Sequence, residues 1–238
     1  MSGKNILITG ATSGIGECIA RYLHSQGMTV FLVGRNESKL ELLRDSLKTN
    51  VFIFRYDLCD LENIHIIFEY AKEQGIVFDG FVHSAGIAEP MPIKINNIDS
   101  MERTMKTNCM SFLEMGKIFC NKKHSNNEAS IVAISSLAAV RPVMGQAVYA
   151  ASKAGLNAVV EVMSKEYIKR KIRVNSIMPS YVSTPMVNGD VSYGMNNGIE
   201  NMPLGVIEPL QIAYLVEFLL SEKSKYITGT EKPVTAGV

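Results

Sequence analysis

The sequence predicts a doubly wound α/β fold: one parallel sheet, helices packed on both faces, three layers. Three observations predict it. Short apolar runs alternate with longer stretches of helical period along most of the chain. The breaks between them are short and rich in glycine or polar residues, so neighbouring strands must run parallel, and right-handed crossovers distribute the helices over both faces. A chain of 238 residues, 47% hydrophobic and 20% charged, also has enough apolar surface for a single core without a disulfide or metal staple.

The elements follow in order. Ile6-Leu7-Ile8 reads as a strand ending at Thr9-Gly10, and Ile15, Ile19, Ala20 and Leu23 then recur at helical spacing. Thr29 to Val33 is a second strand, Glu37 to Leu47 a helix and Val51 to Phe54 a third strand. Leu61 to Lys72 is a helix, and Phe81-Val82 a short strand after Asp79-Gly80. A long helix is predicted from about Ser100 to Cys120 and a strand over Ser130 to Ile134. A helix from about Tyr149 to Ile168, a strand over Val174 to Met178 and a helix near Pro209 to Leu220 complete the pattern. Residues 187–205 break every periodicity with glycines and asparagines, and are expected to be a mobile substrate lid.

Composition excludes several classes. Twenty-four basic against 23 acidic side chains leave a net charge of +1, which provides no field for steering nucleic acid. No apolar run approaches the roughly 18 residues that cross a bilayer, and no secretory signal opens the chain, so neither membrane nor export is expected. Cys18, Cys59, Cys109 and Cys120 are too scattered for a metal site and read as reduced thiols buried in the core of a cytoplasmic protein. The four histidines are equally scattered, and no metal site is expected.

Chemistry is sought in the loops after strands, because ligands of such folds bind at the carboxyl edge of the sheet. Thr9-Gly10-Ala11-Thr12-Ser13-Gly14-Ile15-Gly16 joins the first strand to the first helix, and its three glycines permit a tight turn over which a pyrophosphate can sit on free helix amides. The second strand ends in Val33-Gly34-Arg35-Asn36. No carboxylate stands there to hold a free ribose hydroxyl, whereas the planar fork of Arg35 suits a 2′-phosphate, so NADP(H) is favoured over NAD(H). Tyr149 and Lys153 are four residues apart on one predicted helix and so share a face. A phenol of ordinary pKa near 10 becomes a usable acid/base when an ammonium and a cationic nicotinamide stabilise its phenolate. Ser135-Ser136 ends the strand before that helix, where a hydroxyl can hold a carbonyl oxygen.

Together these features resemble the short-chain dehydrogenase/reductase family, in its compact single-domain branch, over the whole chain. Its T-G-x-x-x-G-x-G motif matches Thr9 to Gly16, and its Y-x-x-x-K matches Tyr149 to Lys153. Its serine, 13 residues before the tyrosine, matches Ser136, and the asparagine of its long central helix, 28 residues before that serine, matches Asn108. The resemblance implies a Rossmann-type single domain over 1–238, with the cofactor half at about 1–90 and the catalytic and substrate half at about 91–238.

The resemblance also implies a catalytic tetrad of Asn108, Ser136, Tyr149 and Lys153. Cofactor contacts would come from Gly10, Thr12, Ser13, Gly14, Ile15, Gly16, Arg35, Asp57, Leu58, Ser84, Ala85, Gly86, Tyr149, Lys153, Pro179, Val182 and Thr184. Lys153 would hold the nicotinamide ribose, Asn108 a water of a proton relay, Asp57-Leu58 the adenine, and Val182 and Thr184 the carboxamide. Three residues depart from the family pattern: Ser84 for asparagine, Ser180 for the glycine after Pro179, and Thr235-Ala236-Gly237-Val238 for a D-G-G ending. The activity implied is hydride transfer between NADP(H) and a small carbonyl or secondary alcohol, in a homodimer or homotetramer built on the two long helices.

Two alternatives stay open. One is a 3-oxoacyl-(acyl-carrier-protein) reductase, which the run Lys169-Arg170-Lys171 would serve by docking an acidic carrier, although Asn126-Asn127-Glu128 lacks a further basic residue and the run also suits a helix C-terminus. The other is a dinucleotide-binding sensor or scaffold without turnover. Met144, Met186, Met195 and Met202 are read as candidate walls of an adaptable substrate pocket.

Overall fold

The computed structural model describes residues 3–184 and 202–238. Seven strands form one sheet: β1 (Asn5–Thr9), β2 (Thr29–Gly34), β3 (Val51–Arg55), β4 (Phe78–His83), β5 (Ser125–Ile134), β6 (Arg173–Pro179) and β7 (Glu231–Val234). Their order is β3-β2-β1-β4-β5-β6-β7. Every neighbouring pair is parallel. The helices are α1 (Gly14–Ser25), α2 (Glu37–Leu47), α3 (His65–Glu73), α4 (Ile98–Met105), α5 (Ser111–Phe119), α6 (Ala147–Glu166) and α7 (Pro209–Leu220).

Strand alternation divides the buried side chains into two cores, one on each face of the sheet. Leu7, Phe31, Val33, Phe81, Ile131 and Val174 face α3, α5 and α6 through Phe68, Phe112, Phe119, Leu156 and Val160. Ile6, Ile8, Val30, Leu32, Val82, Val132 and Ile177 face α1, α2 and α7 through Ile19, Leu23, Leu40, Ile212, Val216 and Leu219. Both faces are covered, as a fully parallel sheet requires. The doubly wound, Rossmann-type, three-layer class read from the sequence is the observed one.

The differences lie at the edges of elements. β7 escaped the sequence reading because Glu231-Lys232-Pro233-Val234 has no apolar run; it is an edge strand, where proline is tolerated. β4 begins at Phe78, so Asp79-Gly80 lies inside the strand and not before it: Gly80 pairs with both Ile6 and Ser130. β5 likewise begins at Ser125, five residues early, through an irregular register opposite Phe78–Gly80. α3 starts at His65 because Asp60 accepts from both the backbone and side-chain nitrogens of Asn63 and holds that stretch in a turn. The long helix predicted from Ser100 to Cys120 is interrupted by a π-helical turn, Lys106–Met110, between α4 and α5. Such turns occur often at functional sites.

Of the four thiols, Cys109 and Cys120 are buried as expected, whereas Cys18 and Cys59 are only half-buried; all four are free. Among the described residues no helix is long and apolar enough to cross a membrane.

Candidate active site

Strand order reverses between β1 and β4, whose neighbours wind away in opposite directions, and a crevice opens at their carboxyl ends. The loop after β1 enters it. Gly10 turns there with φ +66°, and a β-carbon at that position would stand 2.7 Å from the Ala85 nitrogen, so only glycine lets this loop lie against the one after β4. Ser13 is the extended N-cap of α1, but its side chain makes no capping bond. The first-turn amides are thereby left to a ligand anion, which the helix dipole also favours.

Along the crevice from this turn, Thr12, Ser13, Gly14, Ile15 and Gly16 form one wall, and Gly34 and Arg35 stand at the end of β2. Arg35 is exposed and has no ion-pair partner among the described residues. Asp57 and Leu58 line the same cavity after β3, with the Asp57 carboxylate accepting from the Cys59 amide at 3.0 Å. Ser84, Ala85 and Gly86 line it after β4, and Pro179, Ser180, Val182 and Thr184 after β6. Every residue that the sequence assigned to the cofactor therefore borders one continuous cavity.

Beneath it, Thr9 ties two loops together: its hydroxyl meets His83 Nδ1 at 3.1 Å and accepts from the Ala85 amide at 3.3 Å. His83 is completely buried among Phe81 and Phe112. Burial, helped by the nearby Lys153 charge, pushes its pKa down to about 3, so the ring is neutral.

Asn108 lies in the π-turn, fully buried. Its Oδ1 accepts from the Ile87 amide at 2.8 Å, while its Nδ2 donates to the Ile87 carbonyl and the Ser152 hydroxyl, each at 2.9 Å. Both N–H groups are committed, and only Oδ1 keeps a lone pair. Asn108 does not border the cavity; it clamps the segment that does.

Ser136, Tyr149 and Lys153 converge at the inner end. Ser136 follows β5 and opens a short 3₁₀ turn, Leu137–Ala139, where its hydroxyl accepts from the Ala138 amide at 3.1 Å. The Ser136 and Tyr149 side chains border the same cavity, with the Ser136 hydroxyl near enough to the phenol to favour its phenolate. Lys153, 4% exposed, is one turn along α6 from Tyr149; its Nζ donates to the Ile134 carbonyl at 2.8 Å and stands 5.9 Å from the phenol ring centre. Burial pushes the Lys153 pKa down to about 8, opposed by the Cys109 thiol.

The Tyr149 phenol is pushed up by burial, with the Ser136 hydroxyl working the other way. The expected help from the Lys153 ammonium and a cationic nicotinamide would oppose that burial.

A second cavity, of about 260 Å³, shares Ser136, Tyr149, Pro179 and Ser180 with the first. Ala88, Leu137, Ala138, Val143 and Tyr181 give it apolar walls, and Arg141, Gln146 and Val238 also border it. Sequence reasoning did not single out Arg141, because one arginine before a proline carries no pattern. It also passed over Ile87 and Thr107, which line the first cavity beside Ser135.

The methionine expectation is corrected where it can be read. Met144 is 92% exposed and borders neither cavity, and Met202 is buried in the core facing α1, α2 and α7. Met186, Met195 and most of the expected lid, 187–201, lie outside the described residues. Two residues of the basic run have partners within the chain. Arg170 donates to the Cys120 and Ser125 carbonyls, each at 2.6 Å, and Lys171 pairs with Glu128. Among the described residues no cluster of metal-ligating side chains occurs.

A doubly wound sheet whose reversal point carries a glycine turn, beside a serine–tyrosine pair and a buried lysine, defines an oxidoreductase acting on the CH–OH/C=O couple. A family model described as enoyl-(acyl carrier protein) reductase matches residues 10–238. The chain belongs to the short-chain dehydrogenase/reductase family. It is 32% identical over 240 residues to the 3-oxoacyl-(acyl-carrier-protein) reductase FabG of Rickettsia prowazekii (strain Madrid E), covering 100% of this chain and 98% of that one. It is 27% identical over 242 residues to nodulation protein G of Rhizobium sp. (strain N33), with 100% and 98% covered. A solved short-chain dehydrogenase/reductase structure from Brucella melitensis, titled glucose/ribitol dehydrogenase, superposes with a TM-score of 0.93 at 26% identity, over 100% of this chain and 97% of that one.

Proposed function

We propose that the protein transfers hydride between NADP(H) and a carbonyl or secondary-alcohol substrate, with Tyr149 as the acid/base. One observation carries the reading: Ser136 and Tyr149 border both cavities, so their two hydroxyls face both the crevice that holds the glycine turn and an apolar pocket. The dinucleotide fits the residues present. Uncapped first-turn amides of α1 would hold its pyrophosphate, Arg35 its 2′-phosphate, and Asp57 and Leu58 its adenine. Ser84, Ala85, Gly86, Pro179, Val182 and Thr184 would enclose the nicotinamide end. When bound, the nicotinamide supplies or accepts the hydride.

The chain's own residues handle the oxygen. Ser136 would donate to the substrate carbonyl, and Tyr149, a protonated phenol at neutral pH, would deliver its proton to that oxygen as negative charge develops on it. Lys153, mostly charged at neutral pH, would hold the ribose and stabilise the phenolate left behind. Asn108 acts through Ile87 and Ser152, keeping the loop after β4 against α6.

The test pairs two measurements. Tyr149→Phe should bind NADPH as wild type does and lose turnover by roughly 10²-fold or more; full residual activity overturns the acid/base role. Titration by bound-nicotinamide fluorescence should give tighter NADPH than NADH, and Arg35→Asp should reverse the order. An unreversed preference removes Arg35 from the cofactor site. Tight cofactor binding without turnover on a broad carbonyl panel would instead favour a sensor or scaffold.

A second reading, reduction of 3-oxoacyl groups on acyl carrier protein, is favoured by the 32% identity to a protein so named. Of the basic run, Arg170 is engaged with β5, whereas exposed Lys169 and Lys171, the latter in a surface ion pair with Glu128, would meet an acidic carrier. Activity on acetoacetyl carrier protein decides it. Exposed Leu113 on α5 and Val162 on α6 also support association of copies through these helices, which sedimentation measures.

A further inference from the structure

We propose that Arg141 selects carbonyl substrates that carry an anionic group, a carboxylate or a phosphate, in the cavity beside Tyr149; this rests on the reductase reading above. Arg141 is the only charged side chain among the described residues bordering that cavity, whose other side chains are apolar or neutral; Val238, which ends the sequence, also borders it and forms no ion pair with Arg141. It stands opposite no carboxylate side chain there.

Its freedom is unusual for this chain. Of the eight arginines, five are engaged: Arg21 with Glu17, Arg44 with Asp45, Arg103 with Glu89, Arg170 with the start of β5, and Arg173 with the end of α7. Arg35, Arg55 and Arg141 have no side-chain partner among the described residues, and of these only Arg35 and Arg141 border a cavity. Arg35 stands at the outer end of the first cavity, and Arg141 borders the second. The backbone beneath Arg141 is set, its amide donating to the Leu137 carbonyl at 2.9 Å and Pro142 restricting the residue before it. A planar guanidinium on a fixed base, with no internal partner, is suited to a bidentate contact with a carboxylate or phosphate. In a cavity of about 260 Å³ that also holds the Ser136 and Tyr149 hydroxyls, such a contact would orient the substrate from one side while the carbonyl is held from the other.

The experiment compares kcat/KM with NADPH for two matched pairs: acetoacetate against its methyl ester, and acetoacetyl-4′-phosphopantetheine against acetoacetyl-pantetheine. Wild type should prefer the anionic member of at least one pair by roughly tenfold, and the pair that responds tells carboxylate from phosphate. R141Q should abolish the preference by raising KM for the anionic member, R141K should keep part of it, and K169Q, which removes a positive charge away from both cavities, should keep all of it. Equal preference in R141Q and wild type, or a wild-type preference for both neutral members, overturns the proposal. If nothing is turned over, the reductase reading fails separately, and calorimetric titration of acetoacetate and phosphate into the NADPH-saturated protein still decides. Weaker binding of either anion to R141Q supports the proposal, whereas equal or absent binding in both proteins overturns it.

Discussion

Asn108 and Ile87 are bonded to each other twice, the Ile87 amide donating to Oδ1 at 2.8 Å and Nδ2 donating back to the Ile87 carbonyl at 2.9 Å. The pair spans 21 residues of sequence and ties the π-turn between α4 and α5 to the loop after β4. That loop borders both cavities, with Ile87 in the first and Ala88 in the second. Asn108→Ala strands two buried backbone groups and removes a partner of Ser152. The expected loss is about 2–4 kcal/mol of stability, visible as a fall of several degrees in Tm by calorimetry, with a weaker NADPH affinity. A variant within about 0.5 kcal/mol of wild type would show that the clamp contributes little.

Lys153 should leave a signature in the pH dependence of stability. Its folded pKa, about 8, lies below the ordinary 10.5. Between these values the unfolded chain holds more protons than the folded one, so this residue's contribution to stability rises as pH rises through that window. Lys153→Met removes the effect. The stability difference, wild type minus variant, should grow from pH 7.5 to pH 10.5 by on the order of 3 kcal/mol; parallel curves from urea unfolding would contradict the buried, pKa-depressed lysine.

Arg173 should matter as much as a core residue. It is 6% exposed, and it donates from one terminal nitrogen to the Leu219 carbonyl at 2.6 Å and the Ser224 hydroxyl at 2.7 Å, and from the other to the Ser221 carbonyl at 3.1 Å. A cation thus satisfies the end of α7, where the helix dipole favours it, and fastens it to β6. Arg173→Met leaves those acceptors buried and unpaired, at a cost of roughly 3 kcal/mol. Thermal unfolding should fall by about 6–12 °C. Because Arg173 opens β6 at its amino end, whereas the cavity residues Pro179, Ser180 and Val182 stand at the carboxyl end, kcat at 25 °C should change little by comparison.

Much of this molecule could be read one segment at a time. The apolar runs of β1, β2, β3 and β6 and the amphipathic faces of α1, α2 and α6 follow from periods of 2 and 3.6 residues, which need no knowledge of the rest of the chain. The glycine turn at 10–16 and the Tyr149–Lys153 spacing are local in the same sense, because one turn and one helix face carry them. All seventeen expected cofactor positions border the first cavity, those of the glycine turn and of α6 among them.

The rest depends on contacts between distant segments. β7 exists because β6 offers a free edge, and its own residues have no apolar pattern to announce it. Ser84 and Gly86 meet Gly10 only through the pairing of β1 with β4, and His83 is neutral because that pairing buries it. The direction of the Tyr149 shift turns on desolvation against one hydroxyl, and Arg141 gains meaning only from the cavity it borders. Spacing along the chain specifies which side chains share a turn or a face. Burial, charge and shape at a site are sums over many segments at once, and they take definite values only when the sheet has brought those segments together.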